Sequence, residues 1–452
     1  MAISPARAAA FDVLMRIEQQ DAYASELLHS SQYSKVSPAD HGLATELVMG
    51  VLRWRSRLDE EIGHYSDKGV EKLDPEVLTA LRLGAYQLMF LNRMPERAAV
   101  HESVELVRRA RKKSAVPFAN AVLRKLAARV TNGATRRQNQ DQKTETIASE
   151  SAAELSQELA HPLWLVERWV REFGFDGARV VCRYNQHAPD TAVRLADPEA
   201  EAELRQNGVD LAPGQLLASA RRVRAGNVTG TRAFAEGRIA IQDEASQLVG
   251  LLVGRGSRIL DCCAAPGGKT RILAARNPES SVVALELHPH RARLLRKLVP
   301  AKNVEVIHSD VREFKAEGTF DRILTDVPCS GTGTLAHNPE IKWRLKPHDL
   351  VELQARQLAI LQSAMQHAGP RTRLVYSTCS LEREENEMVV QKALATEPSF
   401  HVLDCRIELD RLRAEGELAW KDTDSLVSGL FVRTIPGRLE CDGFFVAVLE
   451  KG

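Results

Sequence analysis

Short apolar segments alternate with helical segments from Arg238 onward, and this alternation limits the fold more than any other feature of the sequence. Each apolar segment is rich in Val, Ile, Leu or aromatic residues, which is typical of buried strands. The segments are RILDCCA (258–264), SVVALEL (281–287), VEVIHSD (304–310), FDRILTDV (320–327), RLVYSTC (373–379) and GFFVAVLE (443–450). Helical segments, such as 288–299 and 349–368, separate several of them. The pattern predicts a parallel, doubly wound, Rossmann-like α/β sheet.

The N-terminal part of the chain has a different pattern. From Pro5 to about Ala128, apolar residues recur at helical spacing without strand-like alternation. A polar stretch and then mixed short segments follow, which indicate a flexible linker and a small lobe. We therefore predict a multidomain chain with an all-α domain at 1–133, a polar linker at 134–155, a small α+β lobe at 156–235 and a doubly wound α/β domain at 236–452.

The charges nearly cancel over the whole chain, with 61 basic and 60 acidic residues, so net charge identifies no partner. Their local distribution is uneven, because the segment between Leu106 and Gln140 contains basic residues and no acidic ones. These basic residues are Arg108, Arg109, Arg111, Lys112, Lys113, Arg124, Lys125, Arg129, Arg136 and Arg137. The segment is either a solvated helix face or a surface that binds phosphates, and the sequence favours neither.

Cysteine usage and hydropathy indicate the cellular setting. The chain has 7 scattered cysteines and no C-x-x-C motif, which argues against a disulfide framework and against a metal site. No apolar run approaches the roughly 18 residues that a membrane span requires. We expect a soluble, cytoplasmic protein with reduced thiols, no metal and no membrane partner.

A glycine-containing turn, CAAPGGK (263–269), follows the first predicted strand of the α/β domain. Ligands bind such sheets outside the carboxyl ends of the strands. The turn lacks the first glycine of a P-loop, where Cys263 stands, and lacks the dinucleotide pattern G-x-G-x-x-G. A nucleoside-type cofactor such as S-adenosylmethionine remains. Glu286, at the end of the second strand, is suited to the ribose hydroxyls, and Asp310, at the end of the third, to the adenine amino group.

Two further cysteines, Cys329 and Cys379, also follow predicted strands of this domain. If their strands are neighbours, both thiols face one pocket, together with Asp326 on the Asp-x-Pro-Cys loop. A thiol nucleophile, a second thiol and a carboxylate suit covalent attack on an electron-poor ring better than hydrolysis. The other cysteines, Cys182, Cys262, Cys405 and Cys441, are expected to be small buried fillers.

Several motifs resemble those of one known family. DCCAAPGGKT (261–270), DVPCSGTG (326–333), IKWR (341–344), YSTCSLEREENE (376–387) and the closing DGFF (442–445) are similar to the signature segments of RNA cytosine-C5 methyltransferases that use S-adenosylmethionine. The helical region, with FANAVLRKL (118–126), resembles the NusB-like RNA-binding domain that accompanies such catalytic domains.

The resemblance implies a role for each matching residue. Cys379 is the nucleophile toward cytosine C6, Cys329 assists release of the adduct, and Asp326 contacts cytosine N3 near the methyl donor. The residues that hold the cofactor are Cys263, Ala264, Ala265, Pro266, Gly267, Gly268, Lys269, Glu286, Asp310 and Asp326. The implied partner is small-subunit rRNA before full assembly, bound by a monomer.

Other functions remain possible at this point. The chain is alternatively an RNA-binding, antitermination-like module with a degenerate methyltransferase half, or a methyltransferase acting on tRNA or another RNA. A DNA cytosine methyltransferase would use the Pro-Cys thiol, Cys329, as the nucleophile. A redox dithiol is the weakest alternative, because C-x-x-C is absent.

Overall fold

The computed structural model describes residues 3–20, 22–28, 30, 36–66, 69–92, 94–131 and 150–452. The chain forms two compact units. The helical unit comprises the described residues up to His187 together with Leu335–Arg344, and the α/β unit comprises Ala188–Thr334 and Leu345–Gly452.

The helical unit is built from amphipathic helices. They are α1 (Pro5–Gln20), α2 (Ala24–Leu28), α3 (Pro38–Arg53), α4 (Arg55–His64), α5 (Pro75–Phe90), α6 (Glu96–Arg109), α7 (Val116–Thr131), α8 (Ala152–Glu158) and α9 (Leu163–Asn185). Ser37 caps α3 by accepting a hydrogen bond from the Asp40 backbone N–H, and Pro38 takes the first helical position. Leu47 and Leu81 lie in the fully buried core. The predicted all-α domain is confirmed.

The IKWR motif belongs to the helical unit, although the sequence predicts it within the α/β domain. Lys342 is buried and donates a hydrogen bond to the Arg53 carbonyl oxygen at 2.8 Å, and Trp343 Nε1 donates to the Leu52 carbonyl oxygen at 2.5 Å. Arg344 donates to the carbonyl oxygen of Ile17 at 3.0 Å. These bonds use carbonyl groups of the helices, which the spacing of the motif does not reveal.

The α/β unit begins with a small antiparallel sheet. Its strands are β1 (Thr191–Leu195), β2 (Asp210–Pro213), β3 (Ala220–Ala225) and β4 (Ile239–Ile241), in the order β2-β3-β1-β4. Helices α10 (Pro198–Gln206) and α11 (Arg232–Ala235) lie between these strands in sequence. The small α+β lobe is thus present in the structure.

The main sheet has nine strands. They are β5 (Arg258–Asp261), β6 (Ser281–Glu286), β7 (Val304–His308), β8 (Phe320–Asp326), β9 (Ala368–Thr378), β10 (Phe400–Val402), β11 (Val427–Ser428), β12 (Phe431–Thr434) and β13 (Phe444–Lys451). The order is β11-β12-β13-β9-β8-β5-β6-β7, and β10 pairs with β13. Strands β5 to β9 are parallel, whereas β10 to β13 add antiparallel pairs.

The predicted parallel sheet is present in β5 to β9, but the sheet as a whole is mixed, because β10 to β13 add antiparallel pairs at one side. An apolar segment buried on both faces looks the same in either direction, so the composition of GFFVAVLE does not give the direction of β13. The predictions of a doubly wound sheet and of its six strands are confirmed.

Helices cover both faces of the main sheet. They are α12 (Glu244–Leu252), α13 (Gly268–Arg276), α14 (Pro289–Leu298), α15 (Asp349–Gln366), α16 (Glu387–Thr396) and α17 (Cys405–Ala414). Alternate residues of a strand enter opposite cores, so Val375 packs with α12, α13 and α17 while Leu374 packs with α15 and α16. Double coverage explains the nearly continuous apolar sequence of these strands.

The two units divide the chain differently from the predicted domains. The lobe predicted at 156–235 includes α9, which belongs to the helical unit. The predicted linker at 134–155 lies mostly outside the described residues. Among the residues that the structure describes, no helix is long and apolar enough to cross a membrane.

Candidate active site

The site lies where the order of the parallel strands reverses. The chain runs from β5 outward through β6 and β7 and then continues on the other side of β5 with β8 and β9. The loops after β5 and β8 separate at this switch point and leave a crevice, which is the usual ligand site of an open α/β sheet. The first loop carries Cys263–Lys269, and the second carries Cys329.

A sharp turn joins β5 to α13. Gly267 has a φ of 117°, which side chains rarely tolerate. A Cβ atom there would also lie 2.6 Å from Val299 and 2.7 Å from Leu295. Glycine at this position allows α13 to begin at Gly268, and its N-terminus faces the crevice with unpaired backbone N–H groups.

A cavity of about 480 Å³ adjoins this turn. Every residue of the 263–269 loop lines it, together with Asp261, Asp326 and Gln242. The volume lies within the range of small-molecule pockets. Gln242 follows β4 of the small lobe and is absent from the predicted site, because a lone glutamine carries no sequence signal for a ligand.

Asp261 supplies an acceptor to the cavity wall. Its Oδ2 accepts a hydrogen bond from Thr270 at 2.7 Å, whereas its buried Oδ1 has no partner among the described residues. Burial raises the pKa of Asp261 to about 7. S-adenosylmethionine carries an ammonium and a sulfonium group. The unpartnered Oδ1 of Asp261, together with the nearby carboxylate of Asp326, suits a positively charged ligand. The residues present therefore fit this cofactor.

Glu286 and Asp310 do not line the cavity but lie near the same loop. Burial raises the pKa of Cys263 well above its ordinary value, and the negative charges of Asp261, Asp326, Glu286 and Asp310 raise it further. Glu286 is almost fully buried and accepts a hydrogen bond from the His288 backbone N–H at 2.9 Å. Asp310 is paired with Arg312, which lowers the pKa of its carboxyl group.

Asp326 lies at the end of β8, opposite Ser377 of β9. Its Oδ2 accepts a hydrogen bond from Lys269 Nζ at 2.7 Å, and its Oδ1 accepts one from Ser377 Oγ at 2.7 Å. The ammonium group of Lys269 also lies 5.1 Å from the centre of the Phe444 ring. Lys269 and Ser377 thus hold the carboxylate at the cavity wall, and the Phe444 ring flanks the ammonium group of Lys269.

Cys329 and Cys379 meet because β8 and β9 are adjacent and parallel. Their Sγ atoms are 3.2 Å apart, and both residues are partly exposed and free of disulfides. The hydrogen bond to Cys379, followed by burial of the thiol, raises the pKa of Cys329 well above its ordinary value. Either sulfur atom can be the donor in this contact.

The structure also separates the cysteines predicted to be buried fillers from those of the candidate site. Cys182, Cys262, Cys405 and Cys441 are buried. Glu385, which carries no signal of its own in the sequence, accepts hydrogen bonds from Ser330 and Ser380, the residues that follow Cys329 and Cys379. The acidic run EREENE gave no signal that Glu382 and Glu385 are its buried carboxylates.

A doubly wound sheet with a glycine turn after its first parallel strand, and a cavity at the switch point that Asp261 and Asp326 line, is the arrangement of an S-adenosylmethionine-dependent methyltransferase. Comparisons with known proteins identify the family. The family "16S rRNA methyltransferase RsmB/F" matches residues 251–450, and the NusB family matches residues 4–128. The chain belongs to this RsmB/F family of methyltransferases and carries a NusB-family domain before the catalytic domain.

Individual relatives match over nearly the whole chain. The probable ribosomal RNA small subunit methyltransferase B of Bacillus subtilis is 32% identical, covering 98% of each chain. The ribosomal RNA small subunit methyltransferase B of Vibrio cholerae is 30% identical, covering 98% of this chain and 97% of the relative. The solved structure of PH0851 has the same fold, with a TM-score of 0.77, 23% identity and full coverage of both chains.

Proposed function

We propose that the protein transfers a methyl group from S-adenosylmethionine to C5 of a cytosine in small-subunit rRNA through a covalent adduct with Cys379. The observation that carries the proposal is the 3.2 Å separation of two thiols at adjacent strand ends, beside the carboxylate of Asp326. Hydrolysis needs no second thiol at this distance. The names of the curated relatives support rRNA of the small subunit as the substrate.

Cys379 is the nucleophile in this proposal. Its thiolate adds to cytosine C6, forms the S–C6 bond and moves an electron pair toward C5, which is otherwise a poor nucleophile. Asp326 contacts N3 as a carboxylic acid, and its O–H donates a hydrogen bond there that stabilises the negative charge developing in the ring, with Lys269 and Ser377 holding the side chain in place. When bound, S-adenosylmethionine supplies the methyl group that C5 accepts.

Cys329 assists the release of the product. A base removes the C5 proton, the electron pair restores the C5–C6 double bond, and the S–C6 bond breaks. The protonated thiol of Cys329 donates a hydrogen bond to the departing sulfur of Cys379, which stabilises the thiolate as it leaves. The target base must be unpaired or flipped out to reach these residues.

The cofactor is assigned to the cavity at the switch point. Cys263–Lys269 and Asp326 form its wall, and Glu286 and Asp310 follow the next two strands for the ribose and adenine groups. The N-terminus of α13 suits the carboxylate of the methionine part, because backbone N–H groups there lack helical partners.

Substitution of the two cysteines tests the proposal. We expect Cys379→Ala to abolish methylation and any protein–RNA adduct, because no nucleophile remains. We expect Cys329→Ala to attack and methylate but to release RNA slowly. Its adduct should survive denaturing electrophoresis of reactions with small-subunit rRNA and disappear on protease treatment.

Cys441→Ala is the matched control, since that cysteine is buried in the same unit, and it should neither lose methylation nor accumulate adduct. Accumulation of adduct in Cys379→Ala would reverse the two roles.

Bisulfite sequencing of rRNA from cells with and without the gene locates the modified cytosine. Absence of any difference would refute the rRNA substrate.

A further inference from the structure

Glu385 is a carboxylate with no exposed surface in the α/β unit. Its Oε1 accepts hydrogen bonds from the Ser330 backbone N–H and from Gln357 Nε2, both at 2.8 Å. Its Oε2 accepts from the hydroxyl groups of Ser330 and Ser380. All of these donors are neutral. A buried carboxylate is costly unless its oxygens are satisfied, so this arrangement is a built site rather than an incidental contact.

The donors to Glu385 are the immediate neighbours of the two thiols. Ser330 follows Cys329 on the loop after β8, and Ser380 follows Cys379 on the loop after β9. The two serine hydroxyl groups lie 3.0 Å apart, so one carboxylate joins both loops. Gln357 strengthens the link on the β8 side, because its Nε2 also donates to the Pro328 carbonyl oxygen at 3.0 Å.

The backbone of Glu385 is itself fixed to the sheet. The hydroxyl group of the fully buried Tyr376 donates to the Glu385 carbonyl oxygen at 2.6 Å. The next residue, Asn386, accepts from Thr378 Oγ1 and donates from Nδ2 to the Ser380 carbonyl oxygen at 3.0 Å. The carboxylate therefore reaches the loops from a rigid base on β9.

We propose that Glu385 is a positioning residue that sets the distance between the sulfur atoms of Cys329 and Cys379. Its consequence for catalysis rests on the proposed function, in which one thiol must attack while the other remains close enough to assist release. Without the four hydrogen bonds, Ser330 and Ser380 lose the carboxylate that they share. The loops then stay joined by the bonds from the Gly333 N–H to the Cys379 carbonyl oxygen and from the Leu381 N–H to Thr332 Oγ1, both at 2.9 Å. A displacement of about 1 Å at a reacting group lowers a rate by about 100-fold.

The effective concentration of one thiol toward the other measures this distance without any methyl transfer. In glutathione buffers, one thiolate attacks oxidised glutathione and releases one glutathione thiol. The second thiolate then displaces the other, which leaves a Cys329–Cys379 disulfide and two reduced glutathione molecules. Mass spectrometry of the linked peptides gives the fraction of disulfide at each redox ratio, and hence the effective concentration.

Three variants test the proposal. Glu385→Ala should lower the effective concentration by about 100-fold and lower kcat for methylation while KM for RNA changes little. Glu385→Gln should remain near the wild type in both measurements, because its amide oxygen still accepts and the serine hydroxyl groups can accept from its amide N–H groups. If Glu385→Ala does not fold, the double variant Ser330→Ala, Ser380→Ala removes the bonds to Oε2 and should lower the effective concentration in the same direction.

Glu408→Ala is the matched control. Glu408 is also a buried carboxylate, and it accepts from Arg373 in the middle of β9 and from Arg411. This variant should lose stability but keep the effective concentration of the thiols. An equal decrease in Glu385→Ala and Glu408→Ala, or none in Glu385→Ala, would overturn the positioning role. If wild-type protein forms no 5-methylcytosine while Glu385→Ala still lowers the effective concentration, the proposed function fails and the positioning role stands.

Discussion

Glu286 is the candidate ribose-binding residue of the proposed cofactor site. It is buried at the end of β6, and its Oε1 already accepts from the His288 backbone N–H. A carboxylate in this setting can bridge two neighbouring hydroxyl groups of a ribose. Hydrogen bonds to charged groups contribute more than those to neutral groups, so loss of the charge should be measurable in binding.

We expect Glu286→Gln to bind S-adenosylmethionine about tenfold to a hundredfold more weakly than the wild type, as titration calorimetry would measure. The amide offers one acceptor where the carboxylate offers two. Glu286→Asp keeps the carboxylate and should retain most of the affinity. Unchanged affinity in Glu286→Gln, with the fold intact by circular dichroism, would remove Glu286 from the cofactor site.

At the scale of secondary-structure elements, the loop after Cys329 contacts the backbone just before β13, where Gly333 lies against Gly443. The Gly333 backbone N–H donates to the Cys379 carbonyl oxygen at 2.9 Å, and the Gly333 carbonyl oxygen accepts from the Gly443 N–H at 2.8 Å. A Cβ atom on Gly333 would lie 2.2 Å from the Gly443 carbonyl oxygen. The loop and the strand can approach this closely only because both residues are glycines.

We expect Gly333→Ala to lower the free energy of unfolding by about 1–3 kcal/mol, because the backbones must separate to admit the methyl group. Urea denaturation followed by circular dichroism measures the change. Gly42→Ala is the control, since a Cβ atom there meets nothing within 4 Å and α3 gains helix propensity of up to about 1 kcal/mol. Equal stability of Gly333→Ala and the wild type would show that the backbones separate without cost.

At the scale of the whole molecule, the basic segment of the helical unit is only partly available to a partner. Arg109, Lys112 and Arg129 form ion pairs with acidic side chains from elsewhere in the unit, and Arg108 pairs with Glu105 of its own helix. Arg111, Lys113, Arg124 and Lys125 are exposed and have no ion pair among the residues that the structure describes. Arg136 and Arg137 lie outside those residues. We define the four exposed cations as the basic surface.

We propose that the basic surface contacts RNA phosphates. The triple variant Arg111→Gln, Lys113→Gln, Arg124→Gln should weaken RNA binding, because fewer counterions are released when the RNA binds. The slope of log K against log salt should fall by about one for each phosphate that the variant no longer neutralises. Filter binding to small-subunit rRNA at several salt concentrations measures both quantities.

The triple variant Lys302→Gln, Lys315→Gln, Lys421→Gln is the control for net charge. It removes the same number of exposed cations from the α/β unit. We expect this control to change the slope of log K against log salt less than the triple variant of the basic surface does. If the two triple variants have the same slope as the wild type, the basic surface is only a solvated face of the helices.

The sequence alone determined the classes of the elements and the strand ends that carry the candidate site residues. Apolar residues at helical spacing indicated the helical unit, and short apolar runs indicated β5 to β9 and β13. Cys263, Glu286, Asp310, Asp326 and Cys379 were identified because each closes or follows such a run. Local patterns of this kind can be read from the sequence because they reflect which face of an element is buried.

Only the tertiary structure decided which of these elements are neighbours. The sequence did not give the direction of β13, the membership of IKWR in the helical unit or the ion pairs of Arg109, Lys112 and Arg129, since each depends on residues distant in the chain. The same holds for the 3.2 Å between the thiols, which requires that β8 and β9 pair in register. Glu385 could not be distinguished from the other acids of EREENE, because burial of a charged side chain is set by the donors that surround it in space.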